Sequence, residues 1–559
     1  MRPTHDQHGA GLRPDLVAAR IRAVVGPCAH PLRTAVPRRL NVRHTELRLA
    51  WCIQACNEAP EPGRGGSACG TELGAWSHPC TEEPPRRRPA HASMSMDSCR
   101  FIVLGLALCP GGCTPNAQGS VLETSSGEVA STTDGESTGE PPAPSECPAP
   151  GAGPTMAGDV TTDATWTADG SPYIVDHNIT IRATLTLEPC TRVLFAPDVG
   201  AVVRDAGRIV GHGTEAMPIE LAQLEPGSPW GNIRIWQGGP LELSYTTIAG
   251  GGAVGSTVGL AAAMIDAQGV DVEGVGALRF DHVTVRDSDS QGIILRDGAR
   301  FSADSAGLVA TGNAGHPVNM WAQGVSTLPS GEYTGNEVDA IFLVGSGPAS
   351  IAQDATIHDR GVPYIVGTPE TGTQLRVTGE AASVPLLTIE PGVELAFGPG
   401  GGLHLDYGSH SGPARGALVA VGTQDAPIRF TSSAQAPAAG DWYGIYFWNE
   451  PDPRSAIEHA VVEYAGGTSQ IGSSTCAWSG TRPHDGAIRF LGEPAPAGQL
   501  VTNTLIRNSA GHGIDRGWMG DLIDYQATNT FESIAFCIES YPHPLDPTPC
   551  PDPAPCPMQ

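Results

Sequence analysis

Between residues ~160 and ~540 the apolar residues come in runs of about four to six, broken by Gly, Pro, Asp and Asn. Val193-Leu194-Phe195, Ala201-Val202-Val203, Arg208-Ile209-Val210 and Pro218-Ile219-Glu220-Leu221 follow one another in this way. No stretch of helical length after residue 114 repeats with a period of 3.6. The pattern therefore predicts many short strands with little room for crossover helices. Parallel strands without such helices have one common solution, a solenoid in which each turn of chain stacks on the last. Coils of ~20–25 residues, stacked at ~4.8 Å, bury a column of Val, Ile and Leu between three sheets. In that register Ile209 and Ile219 point inward.

The pattern occurs twice. DATWTADGSPYIV (163–175) matches DATIHDRGVPYIV (354–366), and LTLEP (185–189) matches LTIEP (387–391). GHGTEAMPIEL (211–221) matches AVGTQDAPIRF (420–430), and WGNIRIW (230–236) matches WYGIYFW (442–448). GALRF (276–280) is set against GAIRF (486–490), and VTVRDSDSQGI (283–293) against TLIRNSAGHGI (504–514). Order is kept while the offset grows from 191 to 221, as small loop insertions in the second copy require. The expected fold is all-β: a right-handed parallel β-helix with two related copies in tandem, at 159–350 and 351–540.

Composition supports this and adds a charge asymmetry. Of 559 residues, 71 are Gly and 50 Pro, and aromatics make up 6%. All 32 basic residues are Arg. Residues 1–93 hold 13 Arg against 8 acids, whereas 113–559 hold 18 Arg against 50 acids. So acidic an exported part argues against nucleic acid, whose phosphates need clustered cations.

Met94 and Met96 precede a short charged start and the apolar run Phe101–Leu108, then Pro110, Gly111, Gly112 and Cys113. The run is too short to span a bilayer and reads as a secretion signal at 94–112. Its end resembles a bacterial lipoprotein signal, which implies a lipid on Cys113. Thr114 after it implies the outer membrane or cell surface, with the lipid as the only membrane contact. Residues 1–93, Arg- and Pro-rich, are expected to be a mis-called upstream extension without structure. The Ser, Thr, Gly, Glu and Pro of 113–158 form a disordered tether, and 541–559 a Pro- and Cys-rich tail. Cys147, Cys190, Cys476, Cys537, Cys550 and Cys556 follow, an even number that suggests three disulfides. The expected pairs are Cys147–Cys190, Cys476–Cys537 and Cys550–Cys556.

The second copy also resembles a family. LTIEPG (387–392), ELAFGPGGGLHL (394–405), GTQDAPIRFTS (422–432) and DWYGIYF (441–447) look like secreted β-helix proteins of the pectate-lyase-like superfamily. That resemblance implies the fold over ~160–540. It spans lyases, hydrolases, adhesins and surface proteins, so it leaves function open. Hydrolases of this group use paired aspartates, Gly-His-Gly and Arg-x-Lys. Here Gly211-His212-Gly213, Gly511-His512-Gly513 and Asp287-Ser288-Asp289 stand in different copies, and no lysine exists. Lyases of the group use Ca²⁺ with an Arg base. Asp281, Arg286, Asp287 and Asp289, with Arg296 and Asp297 nearby, are the candidates for that chemistry, and Ca²⁺ is the one cofactor they suggest. Trp230 and Trp236, like Trp442 and Trp448, lie six apart, which on one strand puts both on one face. Facing out they would be a platform for sugar rings; facing in they would plug the core. The expected function is an exported surface protein that binds or scaffolds, toward polysaccharide, with a polysaccharide lyase or glycoside hydrolase as the alternative. Mass spectrometry of the native protein should find a lipidated Cys113 and no peptide from 1–93, and Cys113→Ser should release the protein from membranes. Full membrane retention of that variant would remove the anchor.

Overall fold

The structure, a computed structural model, divides into two units, 1–129 and 130–559. It describes residues 146–149, 154–236, 239–255, 262–269, 277–367, 373–380, 382–405, 415–448, 450–469, 485–491, 496–516, 523–540 and Cys556, all in the second unit. The expected extension 1–93, the signal, Cys113, most of the tether, Cys476, Cys550 and most of the tail lie outside the described residues.

What is described is one right-handed parallel β-helix. Every strand ladder in it is parallel, and two short 3-10 segments, Ala322–Thr327 and Gly347–Ala349, are its only helical elements among the described residues. A coil comprises three strands, one on each of three faces. Thr184–Leu187, Arg192–Phe195 and Ala201–Arg204 make one coil, and Arg208–His212, Ile219–Gln223 and Ile233–Trp236 the next. Side chains alternate in and out along each strand. In Arg192–Phe195, Val193 and Phe195 are buried while Arg192 and Leu194 meet solvent. Ile209 and Ile219 are buried, as the register requires. Coils reach 44 residues, as between the partners Val461 and Leu505, longer than sequence spacing suggested because turns take up the excess.

In some coils the chain turns from the first to the second face at a residue with left-handed backbone: Tyr245 (φ 43°) and His282 (φ 54°) in copy 1, His459 (φ 47°) and Asn503 (φ 50°) in copy 2. Other coils use a longer turn here, as between His212 and Ile219. Leu241–Ala249 and Leu278–Arg286 run through this corner as unbroken nine-residue strands.

The repeat holds in atomic detail. Trp230 stacks on Phe195 at 4.4 Å and its indole N–H donates to the Ala249 carbonyl at 2.8 Å. Trp442 stacks on Phe397 at 4.5 Å and donates to the Glu463 carbonyl at 2.8 Å. One ion pair is kept with its charges exchanged. Arg192 meets Glu220 at 2.6 Å in copy 1, and at the matching positions Glu394 meets Arg429 at 3.5 Å. Such an exchange is what contact between adjacent coils demands. One expected match is corrected: Leu278–Phe280 lies on the first face of copy 1, but Gly486–Phe490 is a third-face strand whose counterpart is Ala263–Gln268. Small-apolar-Arg-Phe fits an outward-pointing Arg on any face, so the string alone could not choose.

The two copies form one continuous solenoid, yet out of phase. A 13-stranded sheet runs from Ile179–Ile181 to Thr530–Ile534. In copy 1 it carries the third face. At the junction Ile341–Val344, a third-face strand, pairs with Tyr364–Val366, which is a second-face strand of copy 2. Copy 2 is thus rotated by one face relative to copy 1.

A disulfide joins Cys147 to Cys190 across 43 residues, closing the start of the helix. Cys537 pairs with Cys556 across 19 residues, tying the tail to the last coil. This replaces the expected Cys476–Cys537 and Cys550–Cys556; even spacing does not choose among connectivities. Closing loops of this size removes roughly 3–4 kcal/mol of unfolded-chain entropy each. Because Trp230 and Trp442 fill equivalent holes, Trp230→Ala and Trp442→Ala should each cost roughly 3–5 kcal/mol in urea unfolding. A cost below about 1 kcal/mol for either would show that its indole is not a core plug.

Candidate binding face

The acids singled out from the sequence do not converge. Asp281 is exposed and pairs with His282 at 2.7 Å. Arg286 pairs with the adjacent Asp287, both exposed. Asp289 is exposed in the turn to the third face, its N–H donating to the Gly251 carbonyl at 2.8 Å. Among the described residues no group of three or more His, Cys, Asp or Glu could hold a metal ion. The repeat explains the segment as a corner. Asp287 (φ 59°) and Asn508 (φ 54°) both take left-handed backbone, where Asp and Asn are tolerated. After them the Ser288 and Ser509 hydroxyls donate to the carbonyls of Gln291 (2.7 Å) and His512 (2.8 Å). The Gly-His-Gly triplets straddle strand ends: Gly211 and His212 close the strand Arg208–His212, and His512 and Gly513 open the strand His512–Arg516. A Cβ at Gly511 would meet the Asp485 carbonyl oxygen at 2.1 Å. His512 is buried, its Nδ1 accepting from the Cys537 N–H at 3.1 Å. Asn313 and Asn336 lie in stacked turns of adjacent coils, the Asn336 side-chain oxygen accepting from the Asn313 N–H at 3.1 Å.

The tryptophans divide. Trp230 and Trp442 are fully buried and offer no platform. They precede their strands, which begin at Ile233 and Gly444, so the even-spacing expectation fails across the intervening residues. Trp448 is buried with Tyr443, Tyr446 and Leu491 outside the central column. Of these four, Trp236 alone points outward to partial exposure, with the guanidinium carbons of Arg204 and Arg234 at 5.1 and 5.0 Å from its ring.

Trp236 stands on the third face of copy 1, where alternation aims Arg234, Trp236, Asp266, Gln268, Ile294 and Arg296 outward. Register aligns Arg204, Trp236, Gln268 and Arg296 in one line and Val202, Arg234, Asp266 and Ile294 in the next. Asp266 is fully buried between two arginines, Arg296 at 2.6 Å and Arg234 at 3.6 Å. Sequence reasoning named Trp236 and Arg296 but not Arg234 or Asp266, because these partners lie about 30 residues apart. The period-2 alternation in IRIW and IDAQ was the available signal.

The molecule contains its own control. On the same 13-stranded sheet, in copy 2, Glu463 is likewise buried between arginines. There the acid is satisfied: Arg429 and Arg507 donate to it, Arg507 Nε at 2.7 Å, and the Thr431 hydroxyl donates at 3.0 Å. Burial pushes Glu463 up, but those hydrogen bonds outweigh it and hold the carboxyl below the usual glutamate range. Around Asp266 the bonding is incomplete. Asp266 Oδ1 and the Nε atoms of Arg204, Arg234 and Arg296 are buried without a hydrogen-bond partner. Burial therefore wins, and the Asp266 carboxyl lies above the usual aspartate range despite Arg296 and Arg234. Unsatisfied buried polar atoms are uncommon in folded proteins, and four in one patch require a reason.

The equivalent third face of copy 2 is closed and its charges are inverted. Arg489, at the position of Asp266, lies between Asp485 (3.1 Å) and Asp515 (2.9 Å), all three fully buried or nearly so. The Tyr446 hydroxyl donates to Asp485 at 2.9 Å. Burial drives the neighbouring His404 down to about 3, so its ring is neutral at physiological pH.

These shifts set opposite pH dependences. Asp266, raised in the fold, contributes stability at acid pH that is lost as pH rises through its raised value. Glu463, depressed, contributes stability at neutral pH that is lost as pH falls through its lowered value. In urea unfolding from about pH 3 to 7, Glu463→Gln should cost most at pH 7. Asp266→Asn should be neutral or stabilising there, with its advantage gone at acid pH. A large loss from Asp266→Asn at pH 7 would show the carboxylate to be satisfied. No family model matches this chain, and no curated protein or solved structure does.

Proposed function

We propose that this chain is an exported surface scaffold that binds polysaccharide on the third face of its first copy, held at the outer membrane by a lipid on Cys113. The observation that carries the reading is the group of buried polar atoms without a hydrogen-bond partner around Asp266, set beside the satisfied Glu463 group of the same design. A sugar hydroxyl can donate to a carboxylate and accept from a guanidinium, so vicinal hydroxyls complement Asp266 Oδ1 and the arginine Nε atoms together. On this reading the ligand reaches Asp266 by displacing the side chains of Trp236 and of the partly exposed Arg234 and Arg296. Trp236 then supplies an apolar ring face for the pyranose. A net charge of −27 disfavours nucleic acid, and the reading requires no cofactor. The export signal is supported by the Phe101–Leu108 run and the small residues before Cys113.

Affinity electrophoresis against β-glucan, xylan, galactomannan, polygalacturonate, alginate and chitin tests this. At least one polymer should retard the protein. Trp236→Ala and Asp266→Ala should each weaken retardation roughly tenfold, the loss of one stacking or charged hydrogen-bonding group. Arg429→Ala, at the satisfied group, should not. Retardation by no polymer would end the reading. Release of reducing ends or unsaturated uronate would replace it with the lyase or hydrolase alternative.

A further inference from the structure

The outward line through Asp266 does not stop at the end of copy 1. Successive coils align Asp266, Ile294, Asn319, Phe342 and Ile365, and beside this line run Arg296, Trp321 and Val344. Ile294, Trp321, Phe342, Val344 and Ile365 all point outward and are partly exposed. Single surface apolar residues need no explanation; a run of them on neighbouring coils, two of them aromatic, does. The strip is two outward positions wide, about 7 Å, and spans five coil steps from Trp236 to Ile365, about 24 Å. It owes its continuity to the rotation of copy 2. In phase, copy 1's third face would abut the closed face of Tyr446, Arg489 and Asp515. Out of phase, it runs on to Ile365 on a second face.

Resting on the reading above, we infer that the binding track crosses the junction between the copies, and that its ligand is a linear polymer lying along the helix axis. The Asp266 group holds one end, and Trp321, Phe342 and Ile365 carry the next sugar rings. The shape favours this occupant, since a strip one chain wide and several rings long suits an unbranched chain. The mixture does too: ring faces beside planar amide and guanidinium groups (Asn319, Gln268, Arg296) match the apolar faces and hydroxyl edges of a pyranose. The consequence is length dependence. Each added ring on the strip adds a contact without a second loss of translational freedom.

The test uses the full chain and the polymer retained in the electrophoresis panel, cut and size-fractionated to trimer and octamer, with calorimetric titration. The octamer should bind about tenfold or more tighter than the trimer. Phe342→Ala and Ile365→Ser should weaken octamer binding three- to tenfold and leave trimer binding unchanged, whereas Trp236→Ala should weaken both. Both strip variants replace partly exposed side chains, and an unchanged unfolding midpoint shows that each is folded. Equal affinity for trimer and octamer, or octamer binding untouched by both strip variants, would confine the site to copy 1 and overturn the inference while leaving the function intact. Self-association of the wild type at raised concentration, abolished by Phe342→Asp, would make a second copy of this chain the occupant and overturn it as well. If no polymer is retained, the functional reading falls first and the inference with it.

Discussion

Everything in this protein depends on one constraint: each coil must hand its main-chain hydrogen bonds to the coils above and below while sealing one side of every strand from water. Parallel pairing fixes the spacing between coils. Sealing fixes the alternation, because a slip of one residue would turn every inward side chain outward. The core from Val160 to Tyr525 is therefore continuous, with Val, Ile and Leu stacked on like residues and Trp230 and Trp442 filling the wider corners. Outward positions are released from packing, and they are where the two copies have diverged.

That divergence is physically informative. The Arg192–Glu220 pair became Glu394–Arg429, keeping the attraction while exchanging the partners. On the third face Asp266 between arginines in copy 1 stands where copy 2 has Arg489 between aspartates. The remaining arginine–acid–arginine group, around Glu463, is bonded to completion. The Asp266 group, by contrast, leaves Asp266 Oδ1 and three arginine Nε atoms without a hydrogen-bond partner.

The fold was legible in the sequence because its determinants are local or repeated. Short runs ended by turn residues mark strands, and matched strings in fixed order mark two copies. The inward register of Ile209 and Ile219 followed from the same pattern. What escaped depends on which coil lies against which. Coil lengths vary from 18 residues (Thr155 to Tyr173) to 44 (Val461 to Leu505), so the partners of Asp266 could not be counted off. The GALRF and GAIRF strings look alike yet lie on different faces. Trp230 and Trp236 look alike in spacing yet point opposite ways, because the turn before Ile233 breaks the alternation. Cys537 chose Cys556 because the chain returns over the last coil, which spacing does not reveal.

The rotation of copy 2 by one face is the central structural claim, since it decides which surfaces join into one track. Cysteines introduced in pairs, followed by mild oxidation and peptide mapping, test it directly. With the rotation, Phe342→Cys and Ile365→Cys lie on paired strands in register and should form a crosslink. Phe342→Cys with Arg376→Cys, which an in-phase junction would place together, should not. Crosslinking of 342 to 376 in preference to 365 would contradict the rotation and the continuous face built on it.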